Sequence, residues 1–306
     1  MHGFNSPWFG WLASLVFLLV SLPGYAASTG RLPGWVCGLA DPSVFLDGME
    51  DCGICLYAEP SAGSGGAGPG SHSASVVVNG VPRSYYLHIP SGYPFSDPAP
   101  LLLVLHGAGG AGTAPAAAQY LRDAWAATAD TAGFIVVAPI GSHQQSGSWV
   151  PTNDYPMFLA VLNDVAAHYN IDRSRIHGWG YSAGGHVMHD LALHNRGANP
   201  VPDIRTFAAY GISAGVLSDL VCDGPGQPGC ADFLPQVPRK IPVSLRVGDY
   251  DYYQSQIQWE RLQFIIAGWV PGNTLEHVVF SGGHIIDPAQ FLPTWQFFCP
   301  FQRLPD

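Results

Sequence analysis

The sequence predicts an α/β fold: a mainly parallel, doubly wound sheet that begins with an antiparallel hairpin. Three observations point to it. The run Pro100-Leu101-Leu102-Leu103-Val104-Leu105-His106 has no polar alternation, as expected of a strand covered on both faces. Further apolar strand-like runs alternate with helix-period segments to the end of the chain, the signature of parallel strands joined by helical crossovers. Asn79-Gly80 separates two strand-like segments, and this pair suits the positive φ angles of a tight hairpin turn.

In chain order, residues 60–73 form a Gly/Ser/Ala/Pro tract that reads as a flexible linker. Residues 74–78 and 84–89 are the arms of the hairpin, and residues 101–105 are the first buried strand. Residues 116–131 have helical character and 134–138 read as another buried strand. A helix is expected to start at Asp154, with Pro156 in its first turn and Phe158, Leu159, Leu162, Val165 and Ala166 at helical spacing. A strand over 175–179 follows, then a helix from about 185 to 194. Residues 207–210, 242–247 and 275–280 are the remaining strands, with a helix over 256–267 between the last two. In such sheets ligands bind at the carboxyl ends of the strands.

The start of the chain gives an address. Residues 8–22 are almost wholly apolar, and Pro23-Gly24-Tyr25-Ala26-Ala27 supplies a helix breaker followed by small residues suited to a signal peptidase. The apolar core is shorter than the roughly 20 residues of a bilayer span. Residues 1–27 are therefore expected to be a signal peptide, residues 28–73 a cysteine-containing extension and linker, and residues 74–306 the catalytic domain of a secreted protein. Six cysteines behind an export signal favour disulfides, and Cys222 and Cys230, flanking a Pro/Gly loop, are the best pair. The pairing of Cys37, Cys52, Cys55 and Cys299 is open. Cys52-Gly53-Ile54-Cys55 lacks the strand-helix setting of a redox motif and the second ligand pair of a zinc site. With a formal net charge of −10 and Lys240 as the one lysine, the chain lacks the clustered positive charge that nucleic acid or an anionic membrane requires. A neutral or apolar substrate is expected.

The chemistry centres on Gly180-Tyr181-Ser182-Ala183-Gly184, between a strand and a helix. Such a segment holds serine in a sharp elbow, with small neighbours that let backbone and substrate approach its Oγ. In a chain with 37 glycines the pattern alone is weak, and a second copy exists at Gly211-Ile212-Ser213-Ala214-Gly215. Context separates them. Val187, Met188, Leu191 and Ala192 recur at helical spacing after Ser182, whereas the chain after Ser213 soon enters a Pro/Gly loop.

A serine hydroxyl becomes a nucleophile when an imidazole takes its proton and a carboxylate fixes that imidazole. His284 follows the strand 275–280 through Ser281-Gly282-Gly283 and is preferred as the base. His186, His189, His194 and His277 lie inside a helix or strand and read as structural, and His106 as a shaper of the loop after it. Asp251, in Gly248-Asp249-Tyr250-Asp251, is preferred as the acid over Asp249 and Asp287. The backbone N–H groups of Ala108, in His106-Gly107-Ala108-Gly109-Gly110, and of Ala183 are expected to form an oxyanion hole. Trp149, Tyr181, Tyr250 and Tyr252, with Tyr253 beside them, are candidates to bind substrate through their apolar rings.

From about residue 73 onward the chain resembles the secreted esterase branch of the α/β-hydrolases that includes poly(3-hydroxybutyrate) depolymerase-like enzymes and feruloyl or acetylxylan esterases. The resemblance rests on Leu105-His106-Gly107, Tyr169-Asn170-Ile171-Asp172 to Arg175, Gly180 to Gly185, Gly248-x-x-Asp251 and Gly282-Gly283-His284. It implies an α/β-hydrolase fold, a triad of Ser182, Asp251 and His284, and acyl transfer to water without metal or cofactor. Hydroxyalkanoate-type polyesters or their oligomers are expected ahead of feruloyl or acetylxylan esters. A serine peptidase of the same fold, or a noncatalytic binding protein on this scaffold, are the rivals.

Overall fold

The structure is a computed structural model that describes residues 58–93, 97–222 and 228–303. The expected signal peptide and Cys37, Cys52 and Cys55 lie outside the described residues.

The hairpin pairs β1 (Gly70–Val78) with β2 (Val81–Ile89), Val78 opposite Val81, across Asn79 (φ 51°) and Gly80 (φ 78°). The buried run is β3 (Ala99–Leu105), followed by α1 (Ala114–Ala132), β4 (Ile135–Pro139) and α2 (Pro151–His168). Next come β5 (Ile171–Tyr181), α3 (Ala183–Leu193), β6 (Ala209–Ser213) and α4 (Pro228–Gln236). The chain continues through β7 (Val243–Gly248), α5 (Gln254–Ile266), β8 (Leu275–Phe280), a 3-10 turn over Pro288–Gln290 and α6 (Phe291–Phe298). The eight strands form one sheet in the order β1-β2-β4-β3-β5-β6-β7-β8. β1 and β2 pair antiparallel, as do β2 and β4; every later pairing is parallel.

The apolar runs have a direct physical cause. Leu101, Leu103 and Leu105 of β3 face a core shared with Phe158 and Val161 of α2, Leu191 of α3 and Phe264 of α5. Leu102 and Val104, between them in sequence, face a second core with Leu121 and Trp125 of α1 and Trp295 of α6. Because successive strand residues point to opposite faces, a sheet covered on both sides needs an apolar residue at every position. Each leucine fully buried this way stabilises the fold by about 1.5–3 kcal/mol.

Three expectations change. α2 begins at Pro151, three residues before Asp154, and Pro156 sits inside it; Asp154 is buried and accepts the Val150 N–H at 2.6 Å, so it fixes the loop entering the helix. The helices α4 and α6 were not expected. The tract read as a flexible linker is hydrogen-bonded to the domain: Ser61 N–H donates to Ile171 O at 2.9 Å, Ser64 N–H to Ala167 O at 3.1 Å and Gly66 N–H to His168 O at 3.0 Å. Its glycines serve close approach rather than slack, since a Cβ on Gly63 would lie 2.3 Å from Ala166 O. The same sheet gains residues 70–73, so the ordered unit reaches back beyond residue 74.

Cys222 and Cys230 are disulfide-bonded with their Cα atoms 5.0 Å apart, and Cys299 is also disulfide-bonded. No described helix is long and apolar enough to cross a membrane.

Candidate active site

β5 ends at Tyr181, and the next residue, Ser182, has φ 51° and ψ −120° before α3 begins at Ala183. A non-glycine residue in this region stores of order 1–3 kcal/mol of strain and persists only where neighbours fix it. They do so here. Ser182 N–H donates to Ser213 O on the adjacent strand at 2.9 Å, and Ser182 O accepts the Gly185 and His186 N–H groups at 2.8 and 3.1 Å. Gly184 is packed against β3 so closely that a Cβ would lie 2.1 Å from Leu105 O. The result is a half-buried serine whose Oγ stands at the carboxyl edge of the sheet.

His284 reaches that Oγ from the other end of the sheet. Its Nε2 is 2.9 Å from Ser182 Oγ and its Nδ1 is 2.9 Å from Asp251 Oδ2. The Asp251 side chain is fully buried, and its other oxygen accepts the Tyr253 N–H at 2.8 Å. A carboxylate at Nδ1 demands a hydrogen there, which leaves Nε2 to accept the serine proton.

The acid and base loops are stitched together. Asp249 N–H donates to Phe280 O at 2.8 Å, Tyr250 N–H to Gly282 O at 2.9 Å, and Gly282 N–H to Asp249 Oδ1 at 2.9 Å. Asp249 thus ties down the segment that carries His284, while Asp251 touches the imidazole. Asp287 caps the 3-10 turn and accepts from Ala289 N–H at 3.1 Å.

The loop after β3 is held from below. Gly141 N–H donates to His106 Nε2 at 3.1 Å, so Nδ1 carries the ring hydrogen and donates to Gly107 O at 2.8 Å. Burial lowers the His106 pKa and keeps the ring neutral. Ala108 is exposed on this loop, and Ala183 is the first residue of α3, where a backbone N–H has no acceptor within the helix.

The four aromatic candidates divide. Trp149 is 6% exposed, donates from Nε1 to His106 O at 2.8 Å and packs at a tilt against the His106 ring, the ring centres 4.4 Å apart. It supports the loop from within, which corrects the expectation that it meets substrate: an indole N–H in a core goes where a carbonyl needs a donor. Tyr181 donates to His284 O at 2.7 Å, and burial, followed by the charge of Asp251, pushes its hydroxyl up to about 12, so it remains a donor. Tyr252 is 67% exposed and stacks on the His284 ring at 4.4 Å; Tyr250 is 84% exposed beside it. Ile285, next to His284 in the chain, is also exposed.

His186 has the structural role expected of it, whereas Glu260 carries no signal in the sequence. His186 Nδ1 lies 3.0 Å from Val216 N, and Glu260 Oε1 accepts the Leu217 N–H at 2.8 Å, so the chain leaving β6 is held from α3 and α5. Neither residue sits in a motif. The other histidines stay apart from Ser182 Oγ: His189 is buried and pushed down to about 3 by desolvation, and His194 pairs with Asp190 at 2.7 Å. Half-burial lowers the pKa of His277. Among the described residues, no group of three or more His, Cys, Asp or Glu is placed to hold a metal ion.

No protein-family model matches the chain. Among solved structures, it is similar to a ferulic acid esterase at 17% identity, over 75% of this chain and 96% of that one, with TM-score 0.52. It is also similar to a mutant of the feruloyl esterase module from Clostridium thermocellum, at 13% identity over 80% and 94% of the chains, with TM-score 0.55. The fold is the α/β-hydrolase fold. In sequence, an alignment 119 residues long that covers 37% of the chain is 31% identical to the bifunctional acetylxylan esterase/xylanase XynS20E of Neocallimastix patriciarum. The match spans 17% of that protein's length. The chain therefore resembles esterases of the α/β-hydrolase fold.

Proposed function

We propose that the chain is a secreted, serine-dependent carboxylic ester hydrolase with Ser182, His284 and Asp251 as its catalytic triad. The observation that carries this reading is the unbroken run from Ser182 Oγ to His284 Nε2 and from Nδ1 to Asp251, both steps at 2.9 Å, on a strained elbow. Ser182 Oγ attacks the ester carbonyl as His284 takes its proton. The oxyanion accepts hydrogen bonds from Ala108 and Ala183 N–H, a contribution worth on the order of 10²–10³ in rate per donor. His284 then protonates the leaving alcohol, and a water molecule, activated by the same imidazole, hydrolyses the acyl-enzyme. Neither metal nor cofactor takes part.

The exposed rings of Tyr250 and Tyr252 with Ile285 support a neutral, apolar-leaning ester, and hydroxyalkanoate polyesters or their oligomers come first. The second reading, a feruloyl or acetylxylan ester, is favoured by the resemblance to the acetylxylan esterase. Secretion is supported by the apolar leader-like segment and the Cys222–Cys230 disulfide. In the domain organisation we propose, residues 1–27 are the leader and the hydrolase unit takes in the tract from residue 61 onward that is hydrogen-bonded to it.

Turnover of nitrophenyl butyrate, methyl ferulate and 3-hydroxybutyrate oligomers by the purified protein tests the reading. At least one is hydrolysed by wild type and none by Ser182→Ala; hydrolysis by the alanine variant, or inertness of wild type, contradicts it.

A further inference from the structure

We propose that Tyr252 is a positioning residue for the catalytic base: its ring lies against the face of the His284 imidazole and stabilises the imidazolium that forms when Ser182 gives up its proton. The proposal rests on the ester-hydrolase reading and adds to it a residue that acts through His284.

The placement comes from one tight turn. After β7, Asp251 N–H donates to Gly248 O at 3.1 Å, and Asp251 O accepts the Gln254 N–H at 3.0 Å, where α5 begins. Asp251 Oδ1 accepts the Tyr253 N–H, while Oδ2 meets His284 Nδ1. Tyr252, between the two, is thereby set over the ring whose edge the acid holds. Its ring centre is 4.4 Å from that of His284, with the planes 27° apart. Behind it Tyr253 packs on Tyr252 at 4.5 Å and meets His284 nearly edge-on at 5.8 Å.

The three tyrosines around the imidazole differ in what else they do. Tyr181 anchors the backbone by donating to His284 O, and Tyr253 packs against the main core. Tyr252 is mostly exposed, and the imidazole takes one of its faces. The face of an aromatic ring carries the negative end of its quadrupole, so a cation lying over it within about 6 Å is attracted, whereas a neutral imidazole gains mainly dispersion. The ring therefore favours the charged base of the transition state over the neutral base at rest, which is the kind of difference that raises a rate. Burial raises the Tyr252 hydroxyl above its ordinary value, the charges of Tyr253 and Asp251 add to this, and a hydrogen bond with Ser182 opposes it. The phenol thus stays protonated at neutral pH.

The other groups facing His284 are Asp251 and Tyr253 from the turn before α5, Tyr181 and Ser182 from the elbow, and His186 from α3, on which the His284 charge acts. Asp249 and Asp287, on either side, accept from Gly282 N–H and Ala289 N–H. All of them remain when Tyr252 is changed, so a shift between variants reports the ring.

The test follows kcat/KM on nitrophenyl butyrate from pH 5 to pH 9. It compares wild type with Tyr252→Leu, which keeps apolar cover without a π face, and Tyr252→Phe, which keeps the face and lacks the hydroxyl. Where the resting base is neutral, the lost face weakens only the transition state; where the base is already protonated, resting and transition states lose alike. Tyr252→Leu should therefore fall about threefold at pH 8, approach wild type at pH 5, and move the acid limb down by about half a pH unit. Tyr252→Phe should keep the wild-type limb, any loss from its missing hydroxyl being the same factor at every pH. A constant loss in Tyr252→Leu across the range would make Tyr252 a substrate contact and overturn the proposal. So would no loss at all, or a limb in Tyr252→Phe that moves as far as that of Tyr252→Leu; the triad survives each of these results. Inertness of wild type towards the ester defeats the hydrolase reading and the proposal with it.

Discussion

The two Gly-x-Ser-x-Gly segments end neighbouring strands, with Tyr181 of one opposite Ser213 of the other, yet they do different work. In both, one non-glycine residue takes a left-handed φ, but it is Ser182 (51°) in the first and Ala214 (53°) in the second. That shift of one position decides the outcome. Ser182 is itself the turn, so its side chain is thrust above the sheet at the start of a helix. Ser213 is still the last residue of its strand, 5% exposed, and it supplies a carbonyl that holds the elbow. Glycines and a small residue let the chain turn sharply in either place. The helix that follows selects the residue that turns, because α3 must begin at Ala183 to pack Val187, Met188 and Leu191 into the core.

The comparison breaks most visibly at the acids. Asp251→Asn should lower kcat by about 10⁴-fold, because an amide at Nδ1 favours the wrong imidazole tautomer. Asp249→Asn should cost less than tenfold in steady-state assays, since Asp249 holds Gly282 N–H rather than the ring. A reversal of these magnitudes would move the catalytic acid to Asp249 and detach Ser182 from the arrangement described.

The chain leaving Ser213 is a support, and its anchor Glu260 offers a second test. Burial pushes this carboxyl from 4.5 up to about 8. Between those values the folded protein keeps a proton that the unfolded chain releases, so the group's stability contribution is full below pH 4.5 and is lost as pH rises through 8. Glu260→Gln keeps an acceptor for Leu217 N–H and removes the ionisation. Melting curves should show the variant's Tm advantage over wild type growing by several degrees from pH 5 to pH 9. His177 and His189, both pushed down to about 3 by burial, act below pH 6.5 and cancel in this difference. A pH-independent difference would contradict the buried-acid account. Smallest of all, Ser213→Ala should leave kcat/KM on nitrophenyl butyrate within about threefold of wild type.

Much of this arrangement was legible in the sequence because local chemistry and tertiary demand agree. The run Leu101 to Leu105 is apolar at each position because both faces are covered, and Asn79-Gly80 accepts the two positive φ values its turn needs. What was illegible depends on partners distant in the chain. α6 is eight residues with a proline inside, yet Trp295 stacks on Phe134 at 3.6 Å to close one face of the sheet. Residues 60–69 have a linker's composition, and their order comes from carbonyls at the end of α2 and the start of β5. Trp149 lies in a loop after a strand, as a binding residue would, and only the His106 carbonyl reveals that it points inward.

The central claim is that the left-handed turn falling on Ser182 itself, with His284 and Asp251 aligned behind its Oγ, makes Ser182 alone nucleophilic, whereas in the second segment the turn falls on Ala214. A fluorophosphonate probe followed by peptide mass spectrometry reads this directly. The account expects one adduct per chain, on the peptide containing Ser182, with labelling abolished in His284→Ala. An adduct on Ser213, or a native protein that takes up no probe, would contradict it.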